Sequence, residues 1–306
     1  MLSVVIPAYN EEQMIKEAAK VVSGILCEAG IEYELLFVDD GSSDATWNSI
    51  LAARETDENI SGIHFSRNFG KEAAMFAGLE KAKGDCVAVM DCDLQHPPKK
   101  LVEMYRLWQE GYEVVEGIKI SRGQETALHK KVTGIFYKLM TKATGCDMSN
   151  ASDFKLLDRK VVDTLNSLPE RNVFFRALSF WTGYKRTTVE FDVQERTVGT
   201  SKWSTTKLFK YAITNVMSFT LLPLHIIMML GVAMIILALV IGIIAIAQKI
   251  AGTAEPGFTT VILLILFTSG VVVVCLGIIA AYVAKIYDEI KGRPRYIISE
   301  YCTKEK

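Results

Sequence analysis

The sequence predicts an α/β domain built on a mostly parallel sheet, followed by two membrane-crossing helices. Three observations carry this. Short apolar runs of strand type alternate with amphipathic helical runs through the first two-thirds of the chain. Several of those strands end abruptly in carboxylates. The last third holds two uncharged apolar stretches, 224–247 and 258–284, each longer than the roughly 20 residues that cross a bilayer core.

The chain has 306 residues, room for one large domain or two smaller ones. Its formal net charge of −1 argues against general attraction to nucleic acid, and no nucleic-acid partner is expected. Six cysteines form no Cys-x-x-Cys pair, which speaks against structural zinc and against a disulfide framework, and fits a reduced, cytosol-facing compartment. The first residues, Met1 to Pro7, read as a strand opening a domain rather than as a signal peptide.

In order, residues 2–6 form a strand closed by Pro7-Ala8-Tyr9-Asn10-Glu11-Glu12, and 11–29 carry apolar residues at helical spacing until Gly30. A second strand, 34–38, runs into Asp39-Asp40-Gly41-Ser42-Ser43-Asp44, where Gly41 permits a tight turn and Ser43 or Asp44 can cap the next helix. Strands near 61–66, 86–90 and 112–117 then alternate with helices near 71–82 and 99–109. A helix over 125–144 begins with Lys130 and Lys131, and a polar loop over 145–153 leads into Phe154-Lys155-Leu156-Leu157. Helices near 159–167 and 172–182 and a strand over 185–192 complete the polar part.

In parallel sheets ligands sit beyond the carboxyl ends of the strands. Three strands bring polar clusters to that edge, Tyr9/Glu11, Asp39/Asp40 and Asp91/Asp93. Asp91-Cys92-Asp93-Leu94-Gln95 follows the strand Val87–Met90. Alternate residues of an extended chain point the same way, so Asp91 and Asp93 can face one ion. Carboxylate and amide oxygens suit Mg2+ or Mn2+, particularly when a substrate phosphate completes the shell.

Residues 194–203 are rich in loop formers, with cations at Arg196 and Lys202, and 204–222 read as a partly amphipathic interfacial helix. The outer flanks of the apolar pair carry Lys202, Lys207 and Lys210 on one side and Lys285, Lys291, Arg293 and Arg295 on the other. The positive-inside rule then places the polar domain and both termini on the cytoplasmic side of the inner membrane. The expected organisation is a cytoplasmic domain over 1–202, an interfacial segment over 203–222, a transmembrane hairpin over 223–288 and a cytoplasmic tail over 289–306.

Taken together, Val-Val-Ile-Pro-Ala-Tyr-Asn-Glu (4–11), Val-Asp-Asp-Gly-Ser (38–42), Asp-Cys-Asp-Leu-Gln (91–95) and Ser-Asp-Phe-Lys-Leu (152–156) resemble glycosyltransferase family 2. With Arg-Asn-Phe-Gly-Lys (67–71) and Glu-Arg-x-x-Gly-x-Ser-Lys (195–202), the chain is similar to the polyprenyl-phosphate branch, which includes dolichol-phosphate mannose synthase and the bactoprenol glucosyltransferases. The resemblance spans essentially the whole chain and implies a GT-A (Rossmann-like) catalytic domain. It implies that Pro7, Tyr9 and Glu11 hold the nucleotide and Asp39 its base. It matches Asp91, Asp93 and Gln95 to the metal and diphosphate site, Asp153 to the position of the family's base, and Arg196 and Lys202 to phosphate-holding cations. The family often has Arg after the strand-five Gly. Here Lys119 stands there, with Arg122 nearby and Lys131 further on, so the charge is kept while the bidentate fork is lost.

The implied reaction is inverting transfer of a sugar, first choice glucose from UDP-glucose, to polyprenyl (undecaprenyl) phosphate, with Mg2+ or Mn2+ as cofactor. UDP-GlcNAc, another UDP-sugar and GDP-mannose are the alternative donors. The acceptor's second pKa near 6 makes it largely an oxyanion at pH 7, so Asp153 is expected to position rather than deprotonate. The implied partners are the nucleotide sugar, the lipid, the membrane, a homo-oligomer (tetramer), a flippase and a downstream glycosyltransferase. A processive polysaccharide synthase would need a Gln-x-x-Arg-Trp signature and further spans. An inactive binding subunit would not need every charged site position filled.

Overall fold

The computed structural model describes residues 1–120, 141, 151–170, 174–192, 222–252 and 257–303. They form two compact units, Met1–Phe209 with Pro294–Lys306, and Lys210–Arg293.

The first unit opens with strand β1 (Leu2–Ala8), helix α1 (Glu12–Glu28), β2 (Tyr33–Asp39), α2 (Thr46–Thr56), β3 (Ile60–Phe65), α3 (Lys71–Lys81), β4 (Cys86–Val89) and α4 (Lys100–Gln109). It continues through β5 (Val114–Lys119), β6 (Ala151–Asp158), α5 (Arg159–Ser167), α6 (Phe175–Trp181), β7 (Arg186–Phe191) and β8 (Ile298–Cys302). All eight strands lie in one sheet, ordered β7-β5-β6-β4-β1-β2-β3-β8. Pairs β1–β2, β1–β4, β2–β3 and β5–β7 are parallel; β4–β6, β5–β6 and β3–β8 are antiparallel. The expected fold class, a mostly parallel Rossmann-like sheet, is the one observed.

β1 is buried along its whole length, as a central strand covered on both faces must be. α1 presents Met14, Ile15, Ala18, Ala19, Val22 and Leu26 to one face at helical spacing. Gly78 of α3 lets that helix lie close on β1, because a Cβ there would stand 2.2 Å from Val5 Cγ1.

Two antiparallel strands shape the sheet edge. β6 runs opposite to β4, with Val89 opposite Lys155, so the start of β6 lies beside the end of β4. That direction carries Asp153 to the edge where Asp91 emerges. β8 pairs with β3, setting Glu300 opposite His64 and Cys302 opposite Gly62. Residues 298–302, within the stretch expected as a tail, therefore supply the last strand of the sheet. They are fastened there by Tyr296 stacked on Phe65 (centroids 5.0 Å apart) and by Trp47 Nε1 donating to Glu300 Oε2 at 3.0 Å.

The second unit consists of α7 (Leu222–Ile250) and α8 (Phe258–Ile290), 29 and 33 residues long. Both are long and apolar enough to cross a membrane. Their large side chains face outward, as with Met229 at 70%, Ile243 at 67% and Val273 at 68% exposure. Water would penalise so large an apolar surface, whereas lipid does not. The expected helix over 204–222, apart from Leu222 at the start of α7, and all but Thr141 of that over 125–144 lie outside the described residues.

Candidate active site

The acidic strand tips do meet at one edge, and each is built differently. After β4, exposure alternates residue by residue: Asp91, Asp93 and Gln95 are half-exposed, while Cys92, Leu94 and His96 are buried. The three oxygen-bearing side chains thus all keep access to solvent, but on a turn at 92–94 rather than on the extended chain that the sequence suggested. Leu94 turns the chain with φ +56, uncommon for a branched residue and of the kind that gathers at functional sites. Behind it, Gln95 N–H donates to Asp93 Oδ1 at 3.2 Å.

His96 anchors this turn. Its ring stacks on Phe154 (5.0 Å, 6° between planes) and meets Phe191 edge-on at 5.6 Å. Asp91 N–H donates to His96 Nδ1 at 3.2 Å, which leaves the ring proton on Nε2. Burial pushes the His96 pKa below the ordinary histidine value, so the ring is neutral.

The centre of the site is an alternating row of charges. Lys71 Nζ bridges Asp91 Oδ1 at 2.6 Å and Asp153 Oδ2 at 2.8 Å. Arg176, from α6, grips the same Asp153 from the other side, Nε to Oδ1 at 2.6 Å and a terminal nitrogen to Oδ2 at 2.9 Å. Burial alone would raise the Asp153 pKa, but Arg176 and Lys71 outweigh it and hold the carboxyl well below the usual carboxylate range. Asp91 is likewise lowered against its burial, chiefly by Lys71. Lys71 is raised by the two carboxylates despite its own desolvation. All four groups are charged at neutral pH.

Lys71 owes its place to the second acidic tip. Asp40, almost wholly buried, accepts from Phe69 N–H at 2.6 Å and Gly70 N–H at 2.9 Å, which fixes the loop feeding the first residue of α3. Burial lifts the Asp40 pKa to about 6. Gly41, at φ +65, fits because a Cβ would strike the Arg67 backbone at 2.3 Å.

The other expected residues fall as follows. Pro7 is buried in β1 opposite Val38, and Tyr9 is 41% exposed just beyond it. Glu11 N–H donates to Thr46 Oγ1 at 2.8 Å. Asp39 is wholly buried, accepting from Ser42 N–H at 3.0 Å and standing 2.8 Å from His64 Nδ1. The partly exposed group at that tip is therefore His64, which stacks on Trp47 at 5.2 Å. Lys119 ends β5 half-buried, and burial and then Arg176 lower its pKa. Arg122, Lys131, Arg196 and Lys202 lie outside the described residues.

Sequence reasoning gave no role to Lys71, Arg176, His96 or His64. Lys71 closes the Arg-Asn-Phe-Gly-Lys motif and His96 follows Gln95, so both had a local signal. Arg176 looks like any helical arginine, and only the fold brings it within reach of a residue 23 positions away.

The donor chemistry suits a hard divalent ion. Among the described residues no three His, Cys, Asp or Glu side chains gather as a ready-made cage. The turn after β4, with Asp91, Asp93 and Gln95 all partly exposed, offers two carboxylates and an amide instead. This is the sparse set that Mg2+ or Mn2+ takes when phosphate oxygens complete its shell.

Comparison with known proteins agrees with this architecture. A glycosyltransferase of Synechocystis sp., named as uncharacterized, is 38% identical over 301 residues, 98% of this chain and 95% of its own. The SfII prophage-derived bactoprenol glucosyl transferase of Shigella flexneri is 35% identical over 301 residues, 98% of this chain and 97% of its own. Among solved structures, glucosyl-3-phosphoglycerate synthase from Mycobacterium tuberculosis, in complex with Mn2+, UDP and phosphoglyceric acid, superposes with a TM-score of 0.55. That match is 20% identical and covers 71% of this chain and 76% of that one, a likeness of fold. Residues 3–165 match the profile "Glycosyl transferase family 2", more than half the chain and including the β4 tip, α3 and β6 that build the charged row; the chain belongs to that family and is a glycosyltransferase.

Proposed function

We propose that this enzyme transfers glucose from UDP-glucose to polyprenyl phosphate at the cytoplasmic face of the membrane, inverting the anomeric centre and leaving a polyprenyl-phosphate sugar. The observation that carries the reading is the end-to-end match to the Shigella bactoprenol glucosyl transferase, which covers the apolar hairpin as well as the sheet. The hairpin is needed because the lipid tail of such an acceptor stays in the bilayer, so the site must be held at its surface. Lys285 near the end of α8, and Lys291, Arg293 and Arg295 just beyond it, support a cytoplasmic reading of that end by the positive-inside rule.

Asp91, Asp93 and Gln95 would hold a Mg2+ or Mn2+ ion, which when bound neutralises the diphosphate leaving group. Pro7, Tyr9, Glu11 and Asp39 line the nucleotide side, with His64 as the exposed member of the Asp39 pair. Lys119, Arg122, Lys131, Arg196 and Lys202 are the cations assigned to the phosphates, offsetting repulsion between donor and acceptor. The acceptor phosphate, with its second pKa near 6, arrives already deprotonated. Asp153 is not asked for a base, and its depressed pKa would make it a poor one. Its work is to hold Lys71 and Arg176 in register. The homotetramer, and delivery of the product to a flippase and a downstream glycosyltransferase, belong to the same reading.

The test uses the full chain in nanodiscs with undecaprenyl phosphate and, separately, UDP-glucose, UDP-GlcNAc and GDP-mannose, reading the lipid by mass spectrometry. A single hexose added from UDP-glucose is expected. No lipid-linked sugar from any donor overturns the proposal.

A further inference from the structure

Lys71 sits where its cost is highest. It is the first residue of α3, the helix end at which a cation is disfavoured by the backbone dipole. Its loop is fixed in advance by Asp40, and its ammonium lies between two carboxylates rather than in solvent. One of those carboxylates, Asp91, belongs to the set on which a divalent ion would be held.

The charges in direct contact, Asp91 and Asp153 against Lys71 and Arg176, already balance two against two. Lys119 adds a nearby positive charge, Asp93 a negative one two residues along, and His96 is neutral. A divalent ion entering alone would add two positive charges to a row already in balance and would compete with Lys71 for the Asp91 carboxylate, whose Oδ1 the ammonium holds. A nucleotide-sugar diphosphate brings two negative charges, so ion and donor arriving together leave the row balanced and offer the released ammonium new oxygens.

We propose that Lys71 is a built-in counter-cation that occupies Asp91 until metal and nucleotide arrive together, so that divalent-ion binding depends on the nucleotide. The inference rests on the metal and diphosphate reading above and adds a positioning residue to it. Lys71 suppresses premature metal loading and keeps Asp91 and Asp153 from repelling one another in the empty enzyme. Moving it off Asp91 is the local event that donor binding brings about.

The test is Mn2+ binding to the full-length protein in detergent, followed by the EPR signal of free Mn2+, with and without UDP and without lipid or turnover. Wild type is expected to bind Mn2+ weakly alone and at least about tenfold more tightly with saturating UDP. Lys71→Met removes a charge 2.6 Å from a ligand oxygen, so it should bind Mn2+ alone at least about tenfold more tightly than wild type, and the gain from UDP should shrink by a similar factor. Lys71→Arg, which keeps the charge, should restore the dependence on UDP and covers the case in which the Met variant does not fold. Equal or weaker Mn2+ binding by a folded Lys71→Met, or a UDP gain unchanged from wild type, overturns the inference and leaves the metal site standing. No Mn2+ binding by wild type even with UDP overturns the metal reading and this inference with it.

Discussion

Arg176→Met isolates the part of the site that holds Asp153. The substitution preserves much of the side-chain length and removes both charge-assisted hydrogen bonds, 2.6 and 2.9 Å, from a carboxylate only 5% exposed. Stripping one partner from a buried ion pair costs about 3–5 kcal/mol. Lys71 stays on the second oxygen and Arg176 is itself 28% exposed, so solvent screening discounts the cost to about 2–3 kcal/mol. For a domain of this size that is a fall in Tm of about 4–12 °C. The pH dependence fixes the cause. The folded pKa of Asp153 is depressed, so its contribution is present above the unfolded value of about 3.9 and is lost as pH falls through the folded one. In the variant the folded pKa rises and that contribution shrinks. The deficit against wild type should therefore be full at pH 6–8 and narrow toward pH 3. Thermal melts of the detergent-solubilised protein, followed by tryptophan fluorescence across that range, measure it. A Tm within about 1 °C of wild type at pH 7, or a deficit constant down to pH 3, refutes the reasoning.

Asp153→Asn should lower kcat/KM by about a hundredfold, since Asn cannot hold two cations as a carboxylate does. The acid limb of its pH–rate profile should stay near pH 6, the pKa of the acceptor phosphate. A limb that vanished in the variant would make Asp153 a general base after all. Gly78→Ala should cost about 3 kcal/mol by driving a methyl to 2.2 Å from Val5 Cγ1, and Val5→Ala should recover part of that in the double variant. Urea melts showing additive losses would mean that α3 and β1 do not meet there as described.

Whatever follows from local rules was open to sequence reading. The strand–helix beat, the helical face of α1 and the acidic tips of β2 and β4 each depend on residues a few positions apart; the alternating exposure of 91–96 was open too, but the turn at 92–94 that carries it was not. What depends on pairing over long separations was not. Residues 298–302 carry too little apolar pattern to announce a strand, and become one only because β3 offers an unpaired edge. Asp153 and Lys71 were each visible as motif residues, but their pairing was not, because β6 reaches the site by running antiparallel between β4 and β5. Arg176 then meets Asp153 from a helix of seven residues with no motif of its own.

The two antiparallel strands give the molecule its particular chemistry. A purely parallel sheet would bring Asp39, Asp40 and Asp91 to one edge and leave three like charges there. β6 enters that edge in the opposite direction and adds Asp153, a further negative charge, which is tolerable only because Lys71 and Arg176 arrive with it. β8 does the same on the other flank, setting Glu300 opposite His64 and binding Trp47, whose ring backs the His64–Asp39 pair. The chain leaving α8 thus runs into the strand that pairs with β3, next to the β2 tip. The segment that returns from the apolar hairpin is part of the frame that positions Asp39.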